Sequence, residues 1–527
     1  MSLQHRHVLH RCFVLAQSDA TLRLLVGVSQ TVQTSERQPI ISTSEIPLMT
    51  SPTSQRPLYT YTVTPVAPAP TLMARKPGIS LIRSFASMSS MMSRIHRFES
   101  SMESVYGNFS NIADPSTWVP PPKSGGHRGR YLWTDAFGVL NFLTLHKENQ
   151  SSDGKYLMFA KRLVLTVHDV LGRTRDGQSR LPGATDEEPL GGGLRIGKES
   201  ETGSDGDGQY HHYLTVWMFA LNRLAMAAGE PAFNRQAVSL AKAIHPHFFL
   251  NRTSSHPRMV WKVAMDLSRP LVASEGNLDP IDGYVVFRLL QSSALNYGGG
   301  PVLEEEIDDY KRVMARKGKH YVSSDTLDLG MTLWTAHWLS GREDWATDLG
   351  NRCILQIRDL FDREGYLDTP VRFRLAFREF GTCLGIGCMF DPGSKSEVAL
   401  DLKSRSEEIL SQWEKYTSSA LTPEDLKPIT RVMNSTALIP GAFKAGFFGR
   451  EPIRDLEEGI PIMHLHEGAV LGRMYIAYTV ANAISSPEAW GKAVTVSSDT
   501  DEVVESTDAV NTAYLFEKRM EPDPCHE

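Results

Sequence analysis

Between about residue 125 and residue 486, apolar side chains recur every three or four positions, punctuated by Gly, Pro, Asp and Ser. That is the pattern of helices with a buried face, joined by turns. The spacing predicts helices over 132–148, 154–172, 210–230, 231–250, 279–294, 303–321, 325–345, 346–367, 373–389, 395–417, 422–443 and 463–486. No convincing run alternates as a half-buried strand does. Most second members of consecutive pairs follow the first after a short turn, which predicts six helical hairpins. The two members differ in kind. Leu327, Met331, Trp334 and Trp338 stripe one side of a helix whose other sides carry Leu329, Leu333 and Ala336, and 210–230 is equally apolar all round. KSEVALDLKSRSEEILSQWEKY, by contrast, has a broad charged side. Buried helices alternating with half-exposed ones predict an all-α fold, an inner ring enclosed by an outer one: the (α/α)6 toroid. An open helical solenoid would show a fixed repeat period; none is visible, and the loops at 173–209 and 251–278 are unequal.

The flanks read differently. Residues 1–95 are rich in Ser, Thr and Pro and are expected to be a disordered extension; a transit peptide, suggested by Arg6, Arg11 and Arg23, and a start at Met88, Met91 or Met92 are the alternatives. The helical domain spans 96–490, and 491–527 forms an acidic flexible tail. Residues 1–90 hold eight Lys or Arg against three Asp or Glu; residues 487–527 hold three against ten. A net charge of -6 over 527 residues gives no reason to expect nucleic acid or an anionic membrane as partner. No apolar run is long enough to span a bilayer. Five cysteines, Cys12, Cys353, Cys383, Cys388 and Cys525, suit a reducing compartment. Asn-x-Ser/Thr sites at Asn108, Asn149, Asn251 and Asn434 allow secretion, but no signal peptide is evident, so a cytoplasmic location is expected, with the mitochondrion as alternative.

Three runs carry a resemblance: GRYLWTDAFGVLNFLTL (129–145), GGGLRIGKESETGSDGDGQYHHYLTVWMFALNRLA (191–225) and WKVAMDLSRPLVASEGNLDPIDGY (261–284). Together they resemble a largely uncharacterised family placed with the six-hairpin glycosidases. The resemblance covers most of 120–486 and implies the (α/α)6 fold. Relatives of that broad fold include sugar hydrolases and sugar 2-epimerases, and no reaction carries over residue by residue.

The candidate chemistry follows the helix starts. Asp135 falls in a first turn with Val139 and Phe142 on its side, either as a catalytic acid or as helix-start stabilisation. In ETGSDGDGQYHHY, Tyr210, His211 and His212 precede a buried helix, and the two histidines point about 100° apart, so at most one should face a pocket. Asp205 and Asp207 only superficially suggest a calcium loop, because the later ligands are missing. The glycine-rich stretch carrying Arg195 and Lys198 lacks the order of a phosphate loop; it either brings those cations to a ligand or is a plain surface loop. Trp261, Lys262, Asp266 and Arg269 suit a sugar site, aromatic face plus hydrogen-bonding groups, although Asp266 with Arg269 also reads as an ion pair. Asp279 and Asp282 open another helix, with capping the plain role for Asp279. His466 and Glu467 precede the last apolar stripe without HExxH spacing, so no zinc or other metal site is expected. Arg372, Arg374, Arg378 and Glu379 form either an interior network or a solvated side. No GxSxG motif supports a nucleophilic serine.

The expected function is a carbohydrate-active enzyme without cofactor, in first place a glycoside hydrolase pairing Asp135 and Asp282 across a glycosidic bond. The alternatives are a sugar epimerase using His212 and His466, and a toroid that binds carbohydrate without turnover.

Overall fold

The computed structural model describes residues 78–121, 130–149, 153–203, 206–316, 322–416 and 422–449. These residues are mostly helical. The helices are α1 (Gly78–Tyr106), α2 (Leu132–Glu148), α3 (Lys155–Leu171), α4 (His211–Ala228), α5 (Pro231–Phe248), α6 (Asp279–Asn296), α7 (Glu304–Arg316), α8 (Thr326–Ala336), α9 (Asp344–Arg358), α10 (Ala376–Met389), α11 (Glu397–Glu414) and α12 (Lys427–Leu438). Local chemistry sets several boundaries. Pro231, Pro280 and Pro428 sit in first turns, where a missing N–H costs nothing. Asp325 caps α8 by accepting from Leu327 N and Asp328 N at 2.9 and 3.2 Å, and Gly229 ends α4 at a φ of 66°.

Burial divides the helices into two kinds. α2 is buried at every position from Leu132 to Leu145, α4 from His211 to Ala225 and α6 from Asp279 to Ser293. α3 buries only the stripe Tyr156, Phe159, Ala160, Leu163, Val164, Val167 and Leu171. α5, α9 and α11 are one-sided in the same way. Each fully buried Leu or Phe side chain stabilises by roughly 1.5–3 kcal/mol.

The more deeply buried helices contact one another in sequence: α2 with α4, α4 with α6, α6 with α8, α8 with α10, α10 with α12, and α12 with α2. Helices α3, α5, α7, α9 and α11 each pack on the preceding member of that set. α1 packs on α12, joined by hydrogen bonds from Ser101 Oγ to Asn434 Oδ1 (3.0 Å) and from Ser435 Oγ to the Phe98 carbonyl (3.2 Å). Residues 78–95, expected to lack structure, are therefore part of a helix, and chain from the far N-terminal side fills the place beside α12. The predicted helix 463–486 lies outside the described residues.

Between α8 and α10 the approach is closest. A Cβ on Gly330 would lie 2.1 Å from the Gly381 carbonyl oxygen, and one on Gly385 2.3 Å from that of Gly330. Only glycine lets the two backbones meet this way. Down the interior, Phe137, Phe219, Trp334, Trp338 and Phe443 pack ring against ring, with Phe219 5.1 Å from Trp334 and Phe443 4.8 Å from Phe137. Among the described residues, no helix is long and apolar enough to cross a membrane.

Candidate acid–base site

Two short strands bring the Tyr210–His212 segment to the Trp261 segment. β1 (Gln209–Tyr210) pairs antiparallel with β2 (Lys262–Val263), opposing Tyr210 to Lys262. A buried knot holds the loop before β1. Asp207 Oδ1 accepts from the backbone N–H of Gly197, Lys198 and Gly208, and its Oδ2 takes Arg195 at 3.1 Å and Arg175 at 2.9 Å. Gln209 donates to the carbonyls of Gly192 and Met265, both at 2.8 Å. Gly193 has a φ of 76°, and a Cβ there would lie 1.9 Å from the Gln209 amide oxygen. The glycine run thus serves close packing, and Arg195 anchors the loop.

His211 and His212 open α4, and each engages a different aspartate in the first turn of α6. His211 Nδ1 meets Asp279 Oδ1 at 3.0 Å, and His211 Nε2 lies 2.7 Å from Tyr310 Oη. Burial, then the charge of Asp279, pushes the Tyr310 phenol well up, so its O–H donates and His211 Nε2 accepts. His212 Nδ1 lies 2.6 Å from Asp282 Oδ2, and Asp282 Oδ1 accepts the Thr335 hydroxyl at 2.7 Å. Both histidines are buried, and both are bound to carboxylates. Burial alone would lower the basicity of His212, but the charges of Asp282, Asp279 and Asp328 outweigh it and raise the imidazole above its ordinary value. With Nδ1 donating to Asp282, Nε2 carries the free lone pair of the neutral ring. Among the described residues, Nε2 has no hydrogen-bond partner.

Asp328, in the first turn of α8, was missed in the sequence. It is only 7 % exposed, accepts from Ser323 Oγ at 3.1 Å and is pushed up to about 7, first by burial and then by the neighbouring charge of Asp325, against the opposing charge of Arg378. His212 also acts on it electrostatically. The signal for Asp328 was present: an acid in the first turn of a helix apolar all round, the position that Asp135, Asp282 and Glu379 share.

Aromatic rings surround His212. Trp133 lies 5.6 Å away and stacks on Tyr213 with planes 9° apart, and Tyr210 lies 6.2 Å from His212, 4.5 Å from Tyr213 and 5.1 Å from Trp261. Among the described residues, the buried Trp133 indole nitrogen has no hydrogen-bond partner.

The remaining candidates occupy other places. Asp135 is fully buried, accepting Arg130 Nε and the Tyr106 hydroxyl, both at 3.0 Å. Glu379 repeats this arrangement on α10, taking Arg374 Nε at 2.7 Å and Nη2 at 2.5 Å, the Tyr366 hydroxyl at 3.2 Å and the Trp413 indole at 2.8 Å. In both cases the arginine stands five residues before the acid, with its guanidinium near the tyrosine ring, 5.0 Å from Tyr106 and 5.5 Å from Tyr366. This is how α2 and α10 are anchored at their starts. Arg374 and Glu379 thus form an interior network, Arg378 pairs with Asp325, and Arg372 is exposed.

Lys198 lies over the Tyr131 ring at 4.4 Å, Lys262 donates to the Gly206 carbonyl at 2.6 Å and the Trp261 indole donates to Ser274 Oγ at 2.9 Å. Asp266 is exposed and takes the Ser268 amide and hydroxyl, which lower its carboxyl below the usual range; Arg269 is exposed. Asp205, His466 and Glu467 lie outside the described residues. Among those described, no group of three His, Cys, Asp or Glu is placed to hold a metal ion. Comparison with protein-family models, curated proteins and solved structures yields no match.

Proposed function

We propose that this chain is a carbohydrate-active enzyme working by general acid–base catalysis, with His212 as base and Asp328 as acid. The observation that carries the reading is the Asp282–His212 hydrogen bond, which orients the ring and leaves Nε2 unpartnered among aromatic side chains. A carboxylate behind the imidazole stabilises the imidazolium formed when Nε2 takes a proton. Asp328, held protonated towards neutrality by burial, suits the other half of the exchange. In glycoside hydrolysis, water attacks the anomeric carbon and gives its proton to His212 Nε2. The glycosidic C–O bond breaks as Asp328 protonates the departing oxygen. This replaces the expected pairing of Asp135 with Asp282, since Asp135 is tied to Arg130 and Tyr106 and Asp282 to His212 and Thr335.

In the same reading, the cyclic order of helix contacts is that of an (α/α)6 toroid, with α1 as outer partner of α12. The resemblance to six-hairpin glycosidases agrees with it. The buried free thiols of Cys353, Cys383 and Cys388 suit a reducing compartment such as the cytosol.

The test is a panel of glycosides and disaccharides incubated with the full chain, measuring new reducing ends, with His212→Asn and Asp328→Asn as controls. Turnover abolished in both variants supports the assignment; turnover retained in either removes that residue. A second reading, sugar epimerisation, is favoured because both groups are raised, so each can hand over and recover a proton near neutrality. Deuterium uptake from heavy water into a reducing sugar, without bond cleavage, identifies it.

A further inference from the structure

A carboxylic acid that gives up its proton must hold the charge left behind, and the groups touching its two oxygens decide how readily it does so. Asp328 is met at one oxygen only. Ser323 Oγ lies 3.1 Å from Asp328 Oδ2, and among the described residues Oδ1 has no hydrogen-bond partner. A serine hydroxyl carries one proton and two lone pairs. One lone pair of Ser323 is taken by the Asp325 backbone N–H at 3.0 Å, and the residue is buried, so the hydroxyl is turned with its proton towards Asp328. The frame behind it is fixed as well. Asp325 Oδ1 accepts from Leu327 N and Asp328 N, and its Oδ2 pairs with Arg378 on α10. With Oδ2 accepting from the serine, the acid proton of Asp328 belongs on Oδ1.

We propose that Ser323 is a positioning residue of the acid–base site, consigning the proton of Asp328 to Oδ1 and stabilising, through Oδ2, the carboxylate left when that proton departs. The inference deepens the reading of Asp328 as the acid and rests on it. A hydroxyl bonds more strongly to a charged oxygen than to a neutral one, so the contact gains as the proton leaves. Ser323 also sets the working range. Burial and the charge of Asp325 push Asp328 up; the charge of Arg378, the Ser323 hydroxyl and His212 on α4 pull it down, and the balance falls at about 7. The neighbouring α6 brings Asp282, whose oxygens are engaged by His212 and Thr335. Without the hydroxyl, the acid holds its proton too tightly to release it near neutrality.

The experiment uses the full chain with 13C-labelled aspartate, in which the Asp328 carboxyl signal is the one missing from Asp328→Asn. Its titration is followed in the parent protein, in Ser323→Ala and in Ser323→Thr, which keeps the hydroxyl. Should Ser323→Ala not fold, Ser323→Cys, similar in size but a weaker donor, takes its place. This part needs no substrate. The carboxyl should titrate at higher pH in Ser323→Ala and return towards the parent value in Ser323→Thr. On a glycoside that the parent turns over, kcat should fall about tenfold at unchanged KM, and the falling limb of the pH profile should move up with the carboxyl. A titration unmoved in Ser323→Ala overturns the proposal and leaves Asp328 standing as the acid. A parent carboxyl that titrates with ordinary aspartates, at about 4, overturns both. A titration that moves while the falling limb stays in place removes Asp328 as the acid, and the positioning role with it.

Discussion

Asp282 holds His212 with one carboxylate oxygen and Thr335 with the other, so the group behind the imidazole is itself fixed from a third helix. Replacing it by asparagine keeps the shape and removes the charge. Asp282→Asn should lower the basicity of His212 and reduce turnover about 10²–10⁴-fold, the usual weight of a general acid–base group. A histidine NMR titration and a rate measurement check the two halves separately.

The rate should trace a bell against pH. The rising limb reports His212 losing its proton above its ordinary value, and the falling limb reports Asp328 ionising near 7. In Asp282→Asn the rising limb moves to lower pH; in Asp328→Asn the falling limb disappears. A limb that stays in place points to another titrating group.

Stability carries the same signature. A carboxyl raised in the folded chain keeps a proton that the unfolded chain has already lost, so stability falls as pH rises from about 4 to about 7. His212, also raised, adds stability that is full below about 6.5 and is lost as pH climbs through its folded value. Asp328→Asn should therefore melt higher than the parent protein at pH 8, and the gap should narrow at pH 5. Thermal melts at the two pH values decide it.

Asp135 and Glu379 are expected to matter for folding. Removing either carboxylate strands a buried arginine, at a cost of about 3–5 kcal/mol. Asp135→Ala and Glu379→Ala should lower the urea midpoint together, while the rate per folded molecule changes little. A rate loss far beyond the folded fraction, confined to Asp135→Ala, would return Asp135 to the reacting centre.

Gly330→Ala puts a methyl group where the Gly381 carbonyl stands. Neither backbone can yield without parting the helices, so a loss of about 1–3 kcal/mol or more is expected in urea unfolding.

The helices were legible because burial on one side or all sides writes itself into three- and four-residue spacing, and α2 to α6 fall within two residues of the predicted bounds. The helix 325–345 breaks early at Ala336, and α9 starts at Asp344. α1 was hidden because its buried stripe of Phe98, Met102 and Tyr106 adjoins a stretch rich in Ser and Met, and its partner lies more than 300 residues away. At the site, first-turn position singles out Asp135, Asp279 and Asp282 alike, but position cannot tell a carboxylate tied to Arg130 from one that orients a histidine. Asp328 was passed over because TLDLGMTLW draws the eye to its apolar residues.

Of the six contacts joining the more deeply buried helices in a cycle, that between α6 and α8 is the sparsest, and the glycine-lined one between α8 and α10 is the most extensive. The Thr335–Asp282 hydrogen bond crosses the weaker junction. Any breathing of the molecule should start there, since the glycine-lined backbones of α8 and α10 pack too closely to part first. The carboxylate that tunes the base is then also the latch on the hinge, and every excursion that springs it disarms His212 until the seam shuts again.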